Sequence, residues 1–171
     1  QAGLVTALKH FPGHGSSTAD SHEGFVDITD TWDPVELEPY RALIAAGDAD
    51  MVMIGHLFHA DYAASPGEPS SFSHRWIEEV LRDELGFDGV VISDDLEMGA
   101  IRDHFTLEET VVGAVEAGMD ILLFSNTADY RQSLGAEVLD ILLAEAESNP
   151  EFAERIQQSY ERIVKLKQRI D

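Results

Sequence analysis

Four short apolar runs set the limits on what this chain can fold into. They occupy residues 4–11, 50–55, 89–93 and 120–125, and longer segments of helical period separate them. Strands alternating with helices in this way form βα units around a parallel sheet. The last three runs are nearly continuous Met, Val, Ile, Leu and Phe, the pattern of strands covered on both faces. The helical segments have clear ends. Residues 34–46 carry Val35, Leu37, Tyr40, Leu43 and Ile44 at mostly helical spacing and stop at Gly47. A second helix begins near Ser73, sets Trp76, Ile77, Val80, Leu81 and Leu85 on one side, and ends at Gly86. Thr106 and Glu109 make a capping pattern ahead of a third helix, which Gly118 closes. A fourth is expected over residues 130–147. Asn149 and Pro150 then break the chain before a last amphipathic helix carrying Phe152, Ile156, Tyr160, Ile163, Val164 and Ile170.

The connections suggest where chemistry sits. Those after the first two runs span residues 12–33 and 56–72, far beyond the usual length of a strand-to-helix loop. Long loops at the carboxyl ends of strands are where α/β folds build their sites. Composition narrows what such a site could bind. With 33 acidic and 11 basic residues the formal charge is -22, a field that repels phosphate backbones and anionic lipid surfaces. Neither nucleic acid nor a membrane is therefore an expected partner. The chain has no cysteine, which excludes a thiol nucleophile, disulfides and thiolate metal sites.

Chemistry-bearing residues gather at two strand ends. The first run closes in Lys9-His10-Phe11-Pro12-Gly13-His14-Gly15, and Asp20-Ser21-His22 follows in the same loop. In extended backbone Asp20 and His22 point to one face, so the carboxylate can hold one ring nitrogen and leave the other for proton transfer. The third run ends in Ser93-Asp94-Asp95-Leu96-Glu97-Met98, with Asp94 directly after the buried strand. A carboxylate there can reach a substrate; Asp95 could equally be the inward one, and both Asp95 and Glu97 also suit a helix N-terminus. His56 follows the second run and is a weaker signal. Neither H-x-H nor H-E-x-x-H occurs, so no metal and no other cofactor is expected.

With these two motifs, Lys9 to His22 and Ser93 to Met98, the chain resembles the barrel domain of glycoside hydrolase family 3, in its β-N-acetylhexosaminidase branch. The likeness extends through Ala-Gly-Met-Asp-Ile-Leu-Leu to the closing helix. The fold it implies is the later half of a (β/α)8 TIM barrel, with four βα units and a C-terminal helix over residues 1–171, starting at about the fifth strand. The first half, which in that family adds further sugar-binding residues, has no counterpart here.

The resemblance implies an exo-acting retaining glycosidase that removes terminal β-linked N-acetylglucosamine from a saccharide or cell-wall fragment through a covalent glycosyl-enzyme. Asp94 is then the nucleophile, His22 the general acid/base and Asp20 the carboxylate that orients it. Lys9, His10, His56 and Met98 match sugar-contacting positions, while His14 braces a loop that Gly13 and Gly15 let bend. Two alternatives stay open: a phosphorylase, since a neutral histidine does not repel incoming phosphate, and a catalytically inert half-barrel. Half a barrel has unpaired strand edges, so its expected partner is the first half, as a separate chain or further segment, or a second copy pairing edge to edge. The compartment is open, with the cytoplasm favoured.

Overall fold

The computed structural model describes residues 4–20, 24, 26–127 and 129–169. Its centre is a parallel sheet in which β1 (Ala7–Phe11), β3 (Met51–Ile54) and β5 (Val90–Ser93) lie side by side in chain order. Leu8 pairs with Val52, and Met53 with Ile92. A second, two-stranded parallel sheet joins β2 (Val26–Asp27) to β4 (Leu57–Phe58). The molecule is thus mixed α/β with parallel sheets.

Local signals explain most helix boundaries. Asp33 accepts the Val35 N–H ahead of a 3-10 turn, Pro34–Leu37, which runs into α1 (Glu38–Ala46). Gly47 then takes the left-handed conformation at φ 72°. The next helix, Arg75–Glu84, is wound as a π-helix and ends where the Leu85 N–H donates to the Val80 carbonyl. After the four-residue α2 (Gly99–Arg102), α3 (Leu107–Ala117) starts with a complete Thr106/Glu109 capping box and stops at Gly118. The last two helices are α4 (Leu134–Ser148) and α5 (Pro150–Lys167), and the Asn149 side chain caps the second by accepting the Phe152 N–H. Ile170 lies outside the described residues.

Two expectations need correction. The fourth run does not form a full strand: only the Ile92–Ile121 bridge pairs it with β5. Side chains have replaced part of the ladder, because Asp120 Oδ2 accepts the Val91 N–H at 2.8 Å and Ser93 Oγ accepts the Leu123 N–H at 2.9 Å. The second correction concerns β3, whose burial alternates. Val52 and Ile54 sink into a core with Tyr40, Trp76, Ile77, Leu81, Val91 and Ala114, where the helices cover the sheet. On the opposite face Met53, Ile92 and Ile121 lie in register across the sheet, and all three are only half-buried. The helices of this chain cover one face and leave the other partly open.

Candidate active site

The carboxyl ends of β1, β3 and β5 bring Lys9, His10, His56 and Asp94 to one edge of the sheet. Their spacing follows from parallel pairing: the Asp94 N–H donates to the Ile54 carbonyl at 2.9 Å, and the Gly55 N–H to the Phe11 carbonyl at 2.9 Å. Gly55 is small for a reason, since a Cβ there would press on the His10 Cβ at 3.3 Å. The peptide bonds Lys9–His10 and Phe11–Pro12 are cis.

Asp94 is held from two sides. Its Oδ1 accepts the Asp95 N–H at 2.9 Å, and its Oδ2 faces His10 Nε2 at 3.6 Å. Its side chain keeps 18% of its surface exposed, so one carboxylate oxygen is braced and the group stays accessible. Asp95 turns the other way. Its Oδ1 accepts the N–H groups of Glu97 and Ser125, at 3.1 and 3.0 Å. Burial alone pushes the Asp95 pKa up, yet these hydrogen bonds outweigh it and the value falls below the ordinary carboxylate range. The geometry therefore makes Asp95 a structural tie and leaves Asp94 as the carboxylate at the strand tip.

His56 is buried, with both ring nitrogens engaged inside the chain: Nδ1 lies 2.9 Å from Ser71 Oγ and Nε2 3.0 Å from the Asp95 carbonyl oxygen. Burial lowers its pKa, against the opposing pull of that carbonyl and of the Asp94 and Asp95 charges. Met98 is also buried, at the start of α2, and its N–H donates to the same Asp95 carbonyl at 3.0 Å. Among the described residues, no three His, Cys, Asp or Glu side chains gather in a way that could hold a metal ion.

The loop after β1 is anchored at both of its ends. Gly13 sits at φ 123°, and a Cβ there would lie 2.5 Å from a Glu36 carboxylate oxygen. Glu36 in turn accepts the Gly15 N–H at 2.9 Å and the Ser16 hydroxyl. Trp32 Nε1 donates to the Pro12 carbonyl at 3.1 Å, and the His10 and His14 rings meet edge to face at 6.1 Å. At the far end β2 pairs with β4, and Val26, Ile28 and Leu57 form a small core beside Trp32. Asp20 is exposed between these anchors, while His22 lies outside the described residues. A cavity of about 580 Å³ lies along β1 and α1, lined by Lys9, His10, His14, Glu36 and Tyr40. A larger one, about 850 Å³, lies away from the strand tips, between the 62–68 loop and α3.

Sequence reading missed Glu36, Trp32, Ser70 and Ser71. Each acts through contacts 13 to 21 residues along the chain, for which local pattern carries no signal.

Residues 1–166 match the family model described as the glycosyl hydrolase family 3 N terminal domain. A beta-hexosaminidase of Tolumonas auensis is 40% identical over 129 residues, covering 74% of this chain and 38% of the relative. A glycoside hydrolase family 3 beta-N-acetylglucosaminidase from Paenibacillus superposes with a TM-score of 0.88 at 41% identity, over 99% of this chain and 32% of that one. A beta-N-acetylhexosaminidase from Beutenbergia cavernae does so with a TM-score of 0.81 at 32% identity, covering 92% and 45%. The chain spans about two fifths of the length of the curated relatives it matches.

Proposed function

Because the chain belongs to the glycosyl hydrolase family 3 N-terminal domain family, we propose that it carries the reacting groups of an exo-acting, retaining β-N-acetylhexosaminidase. The observation that carries this reading is Asp94: a carboxylate at a strand tip, braced through one oxygen by the Asp95 N–H and still accessible. A nucleophile needs that combination. Attack by Asp94 on the anomeric carbon of a terminal β-linked N-acetylglucosamine gives a glycosyl-enzyme, and the carboxylate's charge stabilises the oxocarbenium-like transition state. His22, oriented by Asp20, protonates the leaving oxygen and then deprotonates the attacking water, because imidazole titrates near neutrality. Lys9 and His10 line the cavity along β1, within reach of sugar hydroxyls.

The same proposal covers architecture. The four βα segments with α5 form the later half of a (β/α)8 barrel, and the half-buried row Met53, Ile92 and Ile121 is the inner face that the other half covers. That half comes as a separate chain or a further segment and supplies the remaining sugar contacts. Assay of an aryl N-acetylglucosaminide with the 171-residue chain, alone and with a family first half added, tests both points. Hydrolysis restored or strengthened by the added half supports them. Unchanged inactivity of the combined sample, with both parts folded, counts against the reading, and faster turnover in phosphate than in a non-anionic buffer points to phosphorolysis.

A further inference from the structure

His56 is a buried histidine that performs no chemical step in the proposed reaction, and its surroundings give it one orientation. A carbonyl oxygen can only accept, so the His56 Nε2 beside the Asp95 carbonyl at 3.0 Å carries the proton. Nδ1 is then the lone-pair nitrogen, and Ser71 Oγ at 2.9 Å donates to it. Ser71 is fully buried, in a 3-10 turn spanning Ser70–Phe72. That turn is fastened to the tip of β3: Ser70 Oγ donates to the Gly55 carbonyl at 2.8 Å and accepts the Leu57 N–H at 3.2 Å.

The chain of bonds ends on the nucleophile candidate. The backbone of Asp95 is gripped at both ends, its N–H by Asp94 Oδ1 and its carbonyl by His56 and the Met98 N–H. If the His56 bond is lost, the residue can tilt and carry its N–H, and with it the Asp94 carboxylate, out of line. Small misplacements of a reacting group cost rate steeply. We propose that His56, set in its tautomer by the Asp95 carbonyl and anchored at its other nitrogen by Ser71, is a positioning residue that fixes the Asp94–Asp95 tip and makes no contact with the sugar. The kinetic part of this inference rests on the glycosidase reading; the geometric part does not.

The test has two arms. Ring nitrogen NMR of the 171-residue chain is expected to show His56 protonated at Nε2. Ser71→Ala should move the backbone resonances of Asp94 and Asp95, and Ser71→Thr should restore them. In the active assembly, Ser71→Ala should lower kcat for an aryl N-acetylglucosaminide about tenfold with KM within about twofold of the parent. His56→Gln places an amide N–H where Nε2–H was and should keep more kcat than His56→Asn, which mimics only Nδ1. An Nδ1-protonated ring, or unmoved Asp94 and Asp95 resonances in Ser71→Ala, would overturn the proposal. So would a loss confined to KM, which is the signature of a sugar contact. If no assembly turns over substrate, the functional reading fails while the NMR arm still decides the positioning role.

Discussion

Asp120→Ala should be strongly destabilising although it lies away from the strand tips. The Asp120 side chain is fully buried and accepts four hydrogen bonds: Oδ2 takes the Val91 N–H at 2.8 Å and Arg82 Nη2 at 3.0 Å, and Oδ1 takes Ser159 Oγ at 2.8 Å and Arg162 Nη1 at 3.0 Å. Removing it takes from Arg82, whose side chain is only 8% exposed, its nearer carboxylate and leaves it Glu78 at 3.6 Å and backbone carbonyls. Burial already lowers the Arg82 pKa, and the Asp120 charge is the largest opposing cause. Breaking a buried pair while one charge stays behind costs about 3 to 5 kcal/mol. At about 2 to 4 °C per kcal/mol for a chain of this size, the thermal midpoint should fall by roughly 6 to 20 °C. Ser159→Ala removes one neutral donor and should cost only about 1 kcal/mol. Pairing Asp120→Ala with Arg82→Met should cost less than the two separate losses added together, because the buried Arg82–Asp120 pair is then removed as a unit. Thermal and urea unfolding followed by circular dichroism measures all four proteins. If Asp120→Ala cost no more than Ser159→Ala, or if the double variant were fully additive, the buried-pair argument would be wrong.

In an active assembly, Asp94→Asn should lower turnover by several powers of ten because the covalent route is lost, and a loss below tenfold would remove Asp94 as nucleophile. His22→Ala should be partly rescued by substrates with good leaving groups; equal losses on aryl and disaccharide substrates, with glycosyl-enzyme formation limiting, would refute the acid/base role. Only three of the 11 basic residues are lysine and the charge is -22, so screening should raise the thermal midpoint in molar potassium chloride; an unchanged or lower midpoint would count against self-repulsion as a significant cost. Asp50 has its pKa lowered, first by the Thr6 N–H and also by Arg169, so its stabilisation is present above the ordinary carboxylate pKa and is lost as pH falls through the native value. The stability gap between the parent and Asp50→Asn should therefore hold from neutrality down to the ordinary carboxylate range and narrow as the pH falls below it, and an undiminished gap in acid would show that the charge is not what stabilises.

Features written in local residue chemistry were legible. Gly47, Gly86 and Gly118 each take positive φ where a helix was expected to end, the Thr106 capping box forms at the predicted residues, and Asn149, read as a break, lies between α4 and α5. What escaped depends on side chains meeting across the chain. β2 and β4 are two residues each, too short for any period, yet they staple the two long loops together. The fourth helix starts at Leu134 and not near Tyr130, because the Asn126 side chain binds both the N–H and the carbonyl of Arg131 and keeps them from helical pairing. The same limit applies at the site. The motifs placed Asp94, His10 and His56 at strand ends, but that Asp95 is tied to Ser125, or that Ser71 anchors His56, depends on contacts 30 and 15 residues apart.

The distribution of the few cations bears on how an acidic chain can keep reactive carboxylates. Arg155, Arg162, Lys165 and Arg169 recur at spacings of 7, 3 and 4 along and just beyond α5. They meet Glu78, Asp120, Asp88 and Asp50 in turn, and the last three of these carboxylates stand just before a strand or the bridged fourth run. These pairs differ in weight. Lys165 and Asp88 are mostly exposed, so that pair contributes little, whereas Asp120 between Arg82 and Arg162 is fully buried. The carboxylates at the amino ends of the strands are therefore neutralised by lysine and arginine side chains. At the carboxyl ends the partners change: peptide N–H groups and hydroxyls hold Asp95 and Glu97, and Asp94 faces an imidazole. On the proposed chemistry this division is functional. An arginine locked onto Asp94 would compete with the anomeric carbon for its charge, while dipolar braces fix the carboxylate and leave its negative potential for the cationic transition state.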